Sequence, residues 1–296
     1  MKPELIGVPY TSAAAGGGIA TAIDVLRQVG LTRQVDAGDR GDLDVPPGDG
    51  LRGASGLLSE AGLGRLATAT HQAVSASLDR GGFPMIVGGD CPVLLGALAA
   101  GRDRLGSVGL LFVDGHEDAW PGPVSTTGEA SDSEIAIALG MMSDLPPPLD
   151  SWIPIVTPAA VAMLGPRDRD EIEAAGVTSL AHTVAMFGDD AAVRAMGAGH
   201  AAQRAVDSVF GARSGLGGFW LHIDLDVLEA DEFPAVDYAQ PGGLTWDELF
   251  EMAITAVTAP GCFGCSVSIY NPDLDPDRSS AARVVSFLRD LVVAAA

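Results

Sequence analysis

Three residues spaced two apart, Asp114, His116 and Asp118, follow the unbroken apolar run Leu110-Leu111-Phe112-Val113. In an extended chain, positions two apart share a face, so the spacing predicts two carboxylates and an imidazole converging where a strand ends. That trio suits a divalent cation. Taken alone, it also fits a polar loop in which His116 is simply hydrogen-bonded. A second apolar run, Phe219-Trp220-Leu221-His222-Ile223, ends in Asp224 and Asp226. Four aspartates gathered in one crevice raise one another's pKa unless cations lie among them. In open α/β sheets the ligand site lies at the carboxyl ends of the strands, where both motifs fall. Together the two motifs predict a metal site.

Those motifs need strands to hold them in register. Short apolar runs ending in Gly or Asp predict strands over Leu5–Val8, Met85–Val87, Val108–Val113, Ile153–Val156, Ala160–Leu164, Phe219–Ile223 and Phe263–Ile269, with a weaker one over Arg33–Asp36. Helical periodicity lies between them, over Ile19–Val29, Leu57–Leu78, Val93–Ala100, Asp132–Met142, Arg169–Ala175, Asp190–Val209, Trp246–Val257 and Ser279–Val293. The alternation predicts an α/β fold, a three-layer α/β/α sandwich around a mostly parallel sheet. The Gly- and Asp-rich stretch from Gly38 to Gly53 reads as a loop excursion, and Leu145–Leu149 with its three prolines as a rigid connector. Neither marks a boundary, so residues 1–296 are expected to form one domain.

Composition narrows the function further. Acids outnumber bases 39 to 17, for a net charge of -22, and Lys2 is the only lysine. Such a surface repels phosphate backbones and anionic lipid, so no nucleic-acid or membrane partner is expected. Acids can instead collect around metals or a small cationic substrate. With 47% hydrophobic residues the chain can bury a large core, which excludes a disordered chain. Three cysteines make no disulfide framework at this length, and the first residues lack the apolar run of a signal peptide; a cytoplasmic location is expected. Cys262 and Cys265 match Cys-x-x-Cys but open a strand rather than a helix, so core packing is the better reading. The glycines at 16–18 carry no nucleotide-loop fingerprint. His71, His182 and His200 read as ordinary residues, and no serine-hydrolase elbow occurs.

The order of motifs resembles the ureohydrolase superfamily of arginases, agmatinases and formiminoglutamases. It runs through Gly88-Gly89-Asp90, Asp114-Gly115-His116-Glu117-Asp118, Met163-Leu164-Gly165-Pro166-Arg167-Asp168, Asp224-Leu225-Asp226-Val227-Leu228, Pro241-Gly242-Gly243-Leu244 and Asn271-Pro272. The resemblance implies a single domain around an eight-stranded parallel sheet, assembled as trimers or hexamers. It implies hydrolysis of a guanidine or amidine C–N bond by a metal-bridging hydroxide, usually with two Mn2+ per chain. The implied ligands are Asp114, His116, Asp118, Asp224 and Asp226, with Asp114 and Asp224 bridging, and Asp118 passing a proton to the leaving nitrogen.

The departures from that pattern concern one metal position and the substrate. Cys91 stands where the family has a histidine ligand. Two readings stand: a thiolate ligand that favours softer ions than manganese, or a small buried packing residue. Ile269 replaces the glutamate that grips the guanidinium, and Ser131 the histidine credited with proton shuttling. Trp120, Thr127 and Glu129 fall where arginases read an α-amino acid, so ordinary arginase activity is not expected; Glu129, Asp132 or Glu134 is a candidate for a displaced cation contact. One branch, the hydroxy-arginine hydrolase of D-cycloserine biosynthesis, resembles this chain in its cysteine and in the wording around His222 and Asp226. The alternative to an enzyme is a degenerate member that binds metal or a partner without turnover.

Overall fold

The computed structural model describes residues 1–13, 18–211 and 215–296. Gly16 and Gly17, read above as no nucleotide loop, lie outside them. The sheet has eight strands: β1 (Lys2–Gly7), β2 (Gly38–Asp42), β3 (Gly82–Val87), β4 (Val108–Val113), β5 (Val161–Gly165), β6 (Met186–Asp189), β7 (Gly218–Asp224) and β8 (Cys262–Ser268). Their order is β2-β1-β3-β8-β7-β4-β5-β6, and every pairing is parallel. Strands β3, β4, β7 and β8 are buried at every position, which is why they read as continuous apolar runs rather than alternations.

Helices close both faces. Leu111, Val113, Leu221 and Ile223 pack against the helices Ala198–Phe210, Trp246–Thr258 and Ser279–Ala295 on one side. Leu110, Phe112 and Trp220 point the other way, into the helices Glu60–Asp79 and Val93–Leu105. Pairing between β4 and β7 runs step for step from Val108↔Gly218 to Val113↔Ile223. Asp114 and Asp224 therefore come next on neighbouring strands, which lie about 4.8 Å apart. After β3 the chain turns through Gly88 and Gly89, at φ 82° and 72°. A Cβ on Gly89 would stand 2.7 Å from the Val8 carbonyl, so glycine is required there. That turn delivers Asp90 and Cys91 to the same edge.

Four expectations need correction. Ile153–Val156 is no strand: Pro154 interrupts it, and Ile155 and Val156 donate their N–H groups to the Ala138 carbonyl. Arg33–Asp36 is no strand either, because Leu31–Gln34 forms a helical turn. The edge strand β2 comes a few residues later, inside the stretch read as a loop, and β6 was not anticipated. Both are short edge strands that pair on one side only, so neither needs an apolar run. The helix expected over Asp190–Val209 breaks at Gly197, φ 83°. Among the described residues no helix is long and apolar enough to cross a membrane.

Candidate metal centre

Both aspartate motifs lie at the carboxyl edge of the sheet, but the first does not stay extended. Strand β4 ends at Val113, and Asp118 has φ 45°. Asp114, His116 and Asp118 nonetheless bring one ligand atom each within 4.8 Å of one another. A tethered loop achieves what strand alternation was expected to do. Buried Glu117 points away from the trio, accepting hydrogen bonds from Ser179 Oγ and Leu180 N, each at 2.6 Å. The Asp118 carbonyl accepts from Ile135 N at 3.0 Å.

The second motif is tied to the first. Asp224 Oδ1 accepts from Asp226 N at 2.7 Å, and Asp226 Oδ1 from Gly115 N at 3.0 Å. His116 Nδ1 stands 2.9 Å from Asp226 Oδ2. Arg167 Nη2 donates to the Asp226 carbonyl at 2.8 Å, bracing the loop from behind. Asp114, Asp224 and Asp226 also form a group with ligand atoms within 4.8 Å. Cys91 donates its thiol hydrogen to Asp224 Oδ2 at 2.9 Å.

Crowded acids without countercharge hold protons. Burial, reinforced by Asp226, pushes Asp114 up to about 7. Burial and the neighbouring carboxylates also raise Asp118 and Asp224 well above the usual range. Burial would raise Asp226 too, but the ion pair with His116 outweighs it and holds Asp226 low. Burial alone would lower His116, yet Asp226 and Asp114 keep it well above its ordinary value. Burial pushes the Cys91 thiol up, with Asp224 adding to it. The buried Asp114 Oδ2 has no hydrogen-bond partner. Four buried aspartates and a histidine converging at one edge fit a divalent cation, by donor chemistry and by charge.

Above this floor opens a crevice of about 210 Å³. His116, Asp118, Asp224 and Asp226 form its base, and Trp120, Thr127, Glu129, Ser131 and Ile269 line its wall. The site candidates read from the sequence are thus brought together, except that Cys91 and Asp114 lie beneath rather than on the surface of the crevice. Asp90, Asp132, Glu171 and Asp237 add further acids, and no Lys or Arg is among the described residues that line it. Burial, then Asp90 and Asp132, pushes Glu129 up to about 7. Ile269 has φ 74°, an outlier for a β-branched side chain, and its N–H is held by the Gly89 carbonyl at 3.1 Å.

Sequence reasoning missed several neighbours. Asp237 and Tyr238 enter from the loop after β7, and Tyr238 donates to Glu129 Oε1 at 3.3 Å. Nothing in their spacing marks them. Glu134 is not a crevice contact. It is fully buried, with Asp118 beside it, and burial and Asp114 raise its pKa well above the usual range. An acid opening the apolar run Ile135-Ala136-Ile137-Ala138 was the available signal. His222 Nδ1 bonds Ser266 Oγ at 2.7 Å, and burial lowers its pKa to about 3.

An all-parallel sandwich with paired aspartates at the ends of adjacent central strands sets a candidate divalent-metal site at the carboxyl edge of an α/β sheet. The chain belongs to the arginase family, whose family model matches residues 4–293. It is an arginase-family hydrolase of C–N bonds in guanidino or amidino compounds. It is 23% identical to the arginase of Bacillus caldovelox over 299 residues, 98% of each chain. The solved structure of that enzyme superposes with a TM-score of 0.80 at 24% identity, covering 99% of this chain and 98% of the other. Proclavaminate amidino hydrolase from Streptomyces clavuligerus gives 0.72 at 17% identity, covering 99% and 91%. At these identities the structural likeness speaks to the fold.

Proposed function

We propose that the whole chain, residues 1–296, works as one manganese-type hydrolase for a small cationic guanidine or amidine that carries no carboxylate. The observation that carries this reading is the crevice wall, which is lined by acids and, among the described residues, contains no Lys or Arg. A guanidinium or amidinium is drawn into such a wall, whereas the carboxylate of arginine is disfavoured by its acids. Ile269 offers no countercharge, so Glu129, steadied by Tyr238, takes the cation instead. Trp120 supplies an apolar side to the same wall.

Asp114, His116, Asp118, Asp224 and Asp226 would hold the ions, with Cys91 as the sixth candidate ligand. Divalent ions in such a site lower the pKa of water and polarise the carbon that it attacks. Asp118, facing the crevice, accepts a proton and returns it to the leaving nitrogen. Ser131 stands in for the family's shuttling histidine as a relay. Its Oγ lies 3.4 Å from Ser12 Oγ, which in turn donates to Asp90.

The test is release of ammonia or urea by the manganese-loaded protein across arginine and carboxylate-free guanidines and amidines, with Asp118→Asn as control. We expect turnover of carboxylate-free compounds, lost in the control, and little from arginine. Losing paired charge contacts at both ends of arginine costs on the order of 1.5–3 kcal/mol each. Arginine turnover matching the best carboxylate-free compound would overturn the substrate reading. A second reading, metal binding without turnover, draws on the replacement of both clamp and shuttle by Ile269 and Ser131. Inertness towards every compound, despite two bound ions, would favour it.

A further inference from the structure

Cys91, Asp114, Glu134 and His222 each bring one ligand atom to within 4.8 Å of the others. All four are fully buried, and none lines the crevice. They come from four places in the chain: the turn after β3, the end of β4, the short helix Glu134–Ala138, and β7. Four of their polar atoms have no hydrogen-bond partner: Asp114 Oδ2, both oxygens of Glu134, and His222 Nε2. Leaving one such atom unpaired costs about 1–3 kcal/mol, so four in one spot call for a common partner. A cation accepts lone pairs from oxygen, nitrogen and sulfur together, and so serves all four residues at once.

The histidine is set up for that role. Its ring lies parallel to Phe112 at 5.3 Å between centroids, and its Nδ1 bonds Ser266 Oγ at 2.7 Å. In the tautomer that donates Nδ1–H to the hydroxyl, the lone pair of Nε2 is left for the cluster. An outer hydrogen bond of this kind orients the ring of a metal-binding histidine. Trp220 Nε1 donates to the same hydroxyl at 2.9 Å and holds it in place.

We propose that Cys91, Asp114, Glu134 and His222 form a closed four-ligand site for a borderline ion such as zinc, beneath the crevice. Thiolate and imidazole favour such an ion over manganese, and four protein ligands leave no open position for substrate. Asp114 is shared: its Oδ1 accepts from His116 N at 2.8 Å, towards the crevice, while its free Oδ2 serves the buried ion. The inference deepens the hydrolase reading and rests on it only for the ion on the His116 and Asp226 side. Cys91 is then neither a weakened manganese ligand nor mere packing.

Cobalt(II) is the probe, because a thiolate on cobalt gives a charge-transfer band in the near ultraviolet and oxygen or nitrogen ligands alone do not. The full chain, stripped and reloaded with cobalt or zinc, is compared with Cys91→Ser, Glu134→Gln and His222→Gln, each checked for folding by circular dichroism. The wild-type chain should show the band and protect Cys91 from alkylation. Glu134→Gln and His222→Gln should each weaken zinc by more than ~100-fold in chelator competition, beyond the cost of losing a ligand's outer partner. A thiolate band with zinc affinity unmoved by Glu134→Gln and His222→Gln would overturn the site while leaving the hydrolase reading intact. So would an ion retained through His116 and Asp226 with no thiolate band at all. A thiolate-bound ion with none on the His116 side would support the closed site and sink the hydrolase reading instead. The band and the protection are read on the unmutated chain, so a variant that fails to fold does not block the test.

Discussion

In the proposed function, recognition of a cation turns on Glu129. Burial, Asp90 and Asp132 hold its carboxyl near 7, so it is charged above that pH and neutral below it. Attraction for a cationic substrate should therefore weaken as pH falls through about 7. We expect KM to rise several-fold between pH 8 and 6 while kcat moves less, and Glu129→Gln to flatten that dependence at a high KM. Initial-rate kinetics across this range check it; an unchanged pH profile in the variant would remove Glu129 from recognition. The candidate ligands Asp114, His116, Asp118, Asp224 and Asp226 were legible in the sequence, because each aspartate pair closes an apolar strand. The meeting of Glu134, a candidate cation contact in the sequence, with His222 was not. Their meaning lies in an encounter between residues 88 positions apart, which local spacing does not encode.

Among the elements, the turn between β3 and the helix Val93–Leu105 does the most positioning. With φ 72° and the Val8 carbonyl 2.7 Å from any added Cβ, Gly89→Ala must shift the backbone that carries Asp90 and Cys91. It should cost about 1–3 kcal/mol and lower metal content together, measured by thermal denaturation and elemental analysis. Full stability and full metal content would show that the turn tolerates the strain. Strands β4 and β7 were read correctly because burial on both faces writes an apolar run into the sequence. Strand β2, Gly-Asp-Arg-Gly-Asp, has no such run and is almost wholly exposed. It is held at the edge by pairing with β1 and by Arg27 bonding Asp42 at 2.6 Å, a contact that short-range patterns do not announce.

Over the whole molecule, an excess of acids opposes folding unless countercharge is supplied. In the chelated protein Asp114 holds its proton to about 7, against an ordinary 3.8, so the folded state binds protons more tightly than the unfolded one. Its contribution to stability is then lost as pH rises between those two values. We expect the Tm of chelated protein to fall across that window and metal to suppress the fall. Calorimetry with and without a chelator decides this; parallel Tm profiles would contradict metal among the carboxylates. The net charge of -22 adds a salt effect. Ionic strength raised from about 0.01 to 0.15 M shortens the screening length from about 30 to 8 Å. That should raise Tm and lower kcat/KM for a cationic substrate, since repulsion and attraction are screened alike.

The step-for-step register of β4 and β7 carries a consequence for the history of such a chain. The distance between its two aspartate pairs is written in main-chain hydrogen bonds, which mutation of side chains leaves alone. The loops bearing Trp120, Glu129, Ser131 and Tyr238 are free of that ruler. Descent can rewrite the guest list while the anvil stays put, and an experimenter randomising those loops inherits the same freedom.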